Sequence, residues 1–150
     1  MAIIGISANT SFRIGSHMTL RFRYALTTLC VSDIPRLRAL TNLSIGELRM
    51  RVAERAPLLE ISAFENDWDH AREMLSFLAD EIATGSLRLS ISRLEEDDDD
   101  ETPLTVENVH DVLSHFREIE LQDQCSEDLR MGVIRDPSEF EPHDDDWTQP

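Results

Sequence analysis

The sequence predicts an α+β domain: a small three-stranded sheet backed by helices in the order β-α-α-β-α-β, then an acidic linker, one further helix and an irregular tail. Three observations predict it. Period-two apolar runs recur at residues 20–26, 58–64 and 87–91, and segments with three-to-four apolar spacing lie between them. Charge is also partitioned along the chain: residues 1–94 sum to +1 and residues 95–150 to −17, within a total of −16. The implied divisions are a non-native or disordered segment 1–17, an α+β domain 18–94, an acidic linker 95–104, a helical segment 105–132 and an acidic-aromatic tail 133–150.

In the first strand Leu20, Phe22, Tyr24 and Leu26 alternate with Arg21, Arg23 and Ala25, so one face is apolar and the other cationic. Ser32 or Asp33 caps a short helix with Pro35 near its start, Ile34, Leu37 and Leu40 on one face, and Asn42 at its end. Ser44 and Glu47 have capping-box spacing ahead of Ile45, Leu48 and Val52. Pro57 disfavours helix at Ala56, so that helix ends near Arg55. Leu59, Ile61 and Ala63 share a face of the second strand. Asn66 or Asp67 then caps the strongest helix. Its stripe runs through Trp68, Ala71, Leu75, Leu78 and Ile82, widened by Met74 and Phe77 and stopped by Gly85. Leu87, Leu89 and Ile91 alternate with Arg88, Ser90 and Ser92 in a closing strand.

Glu95–Glu101 are seven consecutive acids whose repulsion predicts an extended linker. Pro103 and Thr105 open a helix carrying Val106, Val109, Leu113, Phe116 and Ile119; it reaches Met131 with a break near residues 122–126 and stops at Gly132. Beyond Asp136, Pro137, Pro142 and Pro150 oppose regular structure around Phe140 and Trp147.

Composition narrows the function classes. Two cysteines, Cys30 and Cys125, make no disulfide framework or zinc pair, and the chain has neither a leader pattern nor an apolar run long enough to span a membrane. A cytoplasmic protein is expected. Gly15-Ser16-His17-Met18 looks like the scar of a cleaved affinity tag, with Met18 as the natural start. All 14 basic residues are arginine, which is read as a genome-composition effect before a functional one.

The run Arg38-Ala39-Leu40-Thr41-Asn42-Leu43-Ser44-Ile45-Gly46-Glu47-Leu48-Arg49, with Val52 and Ala56-Pro57 after it, resembles the C-terminal domain of the bacterial ribosomal stalk protein. That family reads Arg-x-x-Thr-Gly-Leu-Gly-Leu-x-Glu-Ala-Lys, then a Val and an Ala-Pro. With an insertion around residues 61–65, the likeness covers residues 19–93. The resemblance implies a three-stranded sheet backed by helices, a fold shared with the peptide-binding adaptor of the Clp protease. The stalk family binds translation factors through lysines and close-packed glycines on its first helix pair. Here Asn42 and Ser44 stand in place of the glycines and no lysine exists, so the likeness carries fold and not function.

No motif of catalytic specificity is present. His110 and His115 are five apart, about 500° of helical rotation, and so do not form a two-ligand metal face. His70 beside Asp69 reads as a local charge partner, and Cys125 among Asp123 and Glu127 is in the wrong electrostatic setting for a nucleophile. Asp97–Asp100 and Asp144–Asp146 lack the alternating Asp-x-Asp-x-Asp-Gly order of a calcium loop. Neither enzyme activity, a metal nor a cofactor is expected.

The −16 charge opposes direct nucleic-acid binding and favours a basic protein partner. Arg21, Arg23 and Arg88 are expected on one sheet layer, packed against the chain's own acidic segment. The expected function is that of an acidic immunity or inhibitor protein that masks a cationic toxin or nuclease. Its partner-binding residues are Asp136, Glu139, Phe140, Glu141, Asp144, Asp145, Asp146 and Trp147. The alternatives are an adaptor that recognises a peptide or helix through the stalk-like domain and a mimic of nucleic-acid charge.

Overall fold

The computed structural model describes residues 18–95 and 100–148; the expected segment 1–17 and the centre of the acidic run lie outside the described residues. The fold is α+β. Strands β1 (Met18–Tyr24), β2 (Leu59–Ser62), β3 (Leu89–Glu95) and β4 (Thr102–Leu104) form an antiparallel sheet in the order β2-β1-β3-β4. Helices α1 (Ile34–Thr41), α2 (Ile45–Glu54), α3 (Trp68–Ala83) and α4 (Val106–Met131) complete the architecture.

Local chemistry accounts for the helix ends. Asn42 adopts a left-handed φ of 63° after α1, Ser44 and Glu47 form both halves of the capping box of α2, and Arg55 closes that helix at φ 59°. Asp67 caps α3 by accepting the His70 N–H, Gly85 follows that helix at φ 81°, and Gly132 ends α4 at φ 78°. Thr105 and Asn108 make a second capping box at the start of α4.

Alternation along the strands divides the sheet into two faces. Leu20, Phe22 and Tyr24 of β1, Ile61 of β2, and Leu89 and Ile91 of β3 are buried. They meet Leu37 of α1, Leu48 and Val52 of α2, Leu75 and Leu78 of α3, and Val109, Leu113 and Phe116 of α4 in one core. At about 1.5–3 kcal/mol for each large side chain removed from water, this shared core is the main favourable term. The opposite face carries Arg21 and Arg23, in register with Ser92 and Ser90.

The sheet has four strands where the sequence predicts three. Residues 102–104, assigned to the acidic linker, pair with β3, so that Ile91 faces Leu104 and Arg93 faces Thr102. Pro103 therefore sits in a strand at the sheet edge, where its missing N–H costs no ladder bond, and does not open a helix. The linker's end residue Glu101 loses its repulsion to two arginines, described below. Helix α4 runs unbroken through residues 122–126 for 26 residues, about 39 Å at the helical rise. The tail folds along it and supplies the partners that a solitary polar helix lacks. Strand boundaries also shift: β1 stops at Tyr24, leaving Leu26 exposed, and β3 begins at Leu89.

Candidate functional site

Three clusters of charged residues bear on function: a clamp on the open sheet face, a buried node between α3, α4 and the tail, and a groove beside that node. In the clamp, Glu101 receives Arg21 Nη1 at 2.5 Å, Arg23 Nη1 at 2.5 Å, Arg23 Nη2 at 3.0 Å and Ser92 Oγ at 3.1 Å. The hydrogen bond from Arg23 and that from Arg21 outweigh partial burial and hold the Glu101 carboxyl down at about 2. Arg21 also approaches Glu60 at 3.4 Å. The expected meeting of strand arginines with the chain's own acids is thus present for Arg21 and Arg23. Arg88 is engaged elsewhere, by Asp33 at 2.8 and 2.9 Å. Asp33 is itself buried and accepts the Tyr24 hydroxyl; burial, reinforced by that bond, raises the phenol's pKa.

The node is built on Glu120, which faces inward from α4 with a side chain only 8 % exposed. Its Oε2 accepts Trp68 Nε1 at 2.7 Å and Arg72 Nη1 at 2.8 Å, while its Oε1 accepts Trp147 Nε1 at 2.7 Å and Arg117 Nη1 at 3.0 Å. Asp144 closes the circuit with Arg117 at 2.9 Å, Arg72 at 2.9 Å and Gln124 at 3.2 Å. Burial pushes the Asp144 carboxyl up, but the donors Arg117, Gln124 and Arg72 overcome this and hold it at about 2. Two carboxylates and two guanidiniums thus balance in a partly dry site, the condition under which buried charge is tolerated.

Aromatic packing fixes the same junction. Trp147 meets Trp68 edge-on at 5.9 Å, and Trp68 meets Phe116 edge-on at 5.6 Å. Arg72 lies over the Trp147 ring at 5.9 Å. The tail is further aligned with α4 by His143, whose N–H reaches Gln124 at 3.0 Å and whose ring meets Asp128 at 2.9 Å.

Docking of the tail creates a groove of about 530 Å³ against α3, lined by Arg72, Glu73, Ser76, Phe77, Asp80, Asp144, Asp145 and Trp147. Glu73, Asp80 and Asp145 are exposed, and none of them meets a cation among the described residues. Phe77, counted from sequence with the core stripe, is 47 % exposed at this wall. The groove is therefore an aromatic surface ringed by acids whose charge is not neutralised internally.

The eight residues singled out from the tail do not form one surface. Asp144, Asp145 and Trp147 come together at the groove, with Trp147 only 9 % exposed. Asp136 caps the short 3-10 turn Pro137–Glu139 by accepting Ser138 N–H, and Glu139 accepts Arg135 N–H at 2.7 Å. Phe140 packs near His143, Glu141 is exposed, and Asp146 accepts the Thr148 N–H and hydroxyl. The α3 contribution, Glu73, Ser76, Phe77 and Asp80, was missed. Its signal is the apolar Phe77 at the margin of the stripe, flanked on the same helix face by Glu73 four residues before it and Asp80 three residues after it.

No family model, curated protein or solved structure matches this chain. Among the described residues no cluster of His, Cys, Asp and Glu could hold a metal ion, and no helix is long and apolar enough to cross a membrane.

Proposed function

We propose that this is an acidic protein-binding module of the immunity or inhibitor type, which masks a cationic surface on a toxin or nuclease. The observation that carries this reading is the division of labour among the acids: Glu101, Glu120 and Asp144 are consumed internally, whereas Glu73, Asp80 and Asp145 surround an exposed Phe77 without internal cations. An acidic rim steers a basic partner, and an aromatic centre supplies contact area once it arrives. Arg21, Arg23, Arg72 and Arg88 are spent on the chain's own carboxylates, in keeping with a protein partner in place of nucleic acid. A bacterial, cytoplasmic setting belongs to the same reading.

The test is capture of a stoichiometric partner from the native host, followed by assay of that partner's activity with and without the purified chain. A basic partner whose activity is blocked supports the reading. Recovery of acidic partners alone contradicts it.

The adaptor reading has one observation of its own. Ile45 and Met50 on α2 are 40 % and 53 % exposed, and they lie on the helix that follows the stalk-like loop. A partner whose binding is lost in Met50→Asp and retained in Asp80→Asn would favour that surface.

A further inference from the structure

The groove between α3 and the docked tail has a more definite chemistry than a charged patch. Glu73, Asp80 and Asp145 stand around it, and Phe77 exposes its ring at the wall. Arg72 also lines the groove, but its charge is already met by Glu120 at 2.8 Å and Asp144 at 2.9 Å. The remaining field is anionic.

A second observation adds an uncharged hydrogen-bonding group to the same wall. Ser76 lines the groove at 9 % exposure, and its hydroxyl makes no hydrogen bond among the described residues. A serine inside a helix ordinarily bonds back to the carbonyl four residues earlier or faces water. Ser76 makes no back-bond, and its hydroxyl is not among the buried polar atoms left without a partner, so it is accessible from the groove and can accept from or donate to an occupant.

We propose that the groove receives one arginine side chain of the basic partner, with the guanidinium plane against Phe77 and its N–H groups directed to Asp80, Asp145 and the Ser76 hydroxyl. This deepens the masking reading and rests on it. Three features select arginine. A planar cation stacks on an exposed ring where a hydrated ammonium does so less well. Its five donors can serve acceptors on separate walls, whereas lysine presents three donors from one point. The molecule already uses this chemistry next door, where Arg72 lies over Trp147 while bonded to two carboxylates. The acids belong to the α3 wall and to the tail, and no cluster of them fits a bare metal ion among the described residues.

The experiment is an NMR titration of the full ¹⁵N-labelled chain with a capped Gly-Arg-Gly peptide, run beside the Gly-Lys-Gly and Gly-citrulline-Gly peptides. The expected result is saturable shifts at Ser76, Phe77, Asp145 and the Trp147 indole, weaker with lysine and absent with citrulline. Asp80→Asn and Phe77→Ala should each weaken binding about tenfold, the equivalent of one lost charge-assisted or stacking contact. Asp80 is exposed, so its variant keeps the fold and remains informative if Phe77→Ala does not. Shifts that never saturate, shifts that lie on α4 away from the groove, or equal binding of arginine and lysine would overturn the proposal. A basic partner that binds the chain without perturbing Ser76 or Phe77 overturns this assignment alone. Failure to find any basic partner overturns the masking reading beneath it.

Discussion

Arg72 separates two groups of acids that share a residue type and little else. On one side Glu120 and Asp144 are held among two guanidiniums and two indoles; on the other Glu73, Asp80 and Asp145 face solvent across the groove. The first group fastens the tail to the domain, and the second is left over for something else. Overall charge does not distinguish them, because every one of these acids adds the same single unit to the −16 of the chain. Burial and pairing do.

The sharpest way to break this comparison is to remove the central carboxylate. Glu120→Leu leaves Arg72 and Arg117 short of counter-charge and two indole N–H groups without their acceptor, and is expected to cost about 3–5 kcal/mol in urea unfolding. Trp147→Ala removes a buried ring from the same junction and should cost about 3 kcal/mol. It should also expose the Trp68 face, detectable as a red-shifted emission of the remaining tryptophan.

The sheet-face clamp gives an intermediate effect. Glu101→Gln keeps its shape and loses its charge, with an expected cost of about 1.5 kcal/mol. Acid should act on the same bonds. Because Glu101 and Asp144 both titrate near 2 in the folded chain, against 4.5 and 3.8 ordinarily, their stabilisation is complete above about pH 4.5 and fades as pH falls toward 2. A Glu101→Gln, Asp144→Asn double variant should therefore show a shallower loss of stability over that interval, read by denaturant midpoints at each pH.

Much of this fold could be read from residue patterns, because its local signals are short-range. The Ser44–Glu47 box, the left-handed stop at Asn42 and the Gly132 terminus each follow from a few adjacent residues. Strand β4 could not, since Thr102-Pro103-Leu104 has too few residues for periodicity and follows a run of acids. Its partner is β3, and the pairing depends on non-local contact. Glu120 was equally hidden. Its acceptor role is set by Trp147, 27 residues onward, and by Trp68, 52 residues back. The abundance of tail acids is plain in the sequence, but only tertiary structure sorts Asp144, which closes the node, from Asp145, which borders the groove.

The smallest stability effect carries the central claim. The variant Glu73→Gln, Asp80→Asn, Asp145→Asn neutralises three exposed acids with no internal cation among the described residues, so its unfolding free energy should stay within about 0.5 kcal/mol of the parent. Its affinity for the basic partner, measured side by side with the parent by titration calorimetry, should fall at least tenfold. Unchanged affinity together with unchanged stability would contradict the account, since those acids would then serve neither the fold nor the partner.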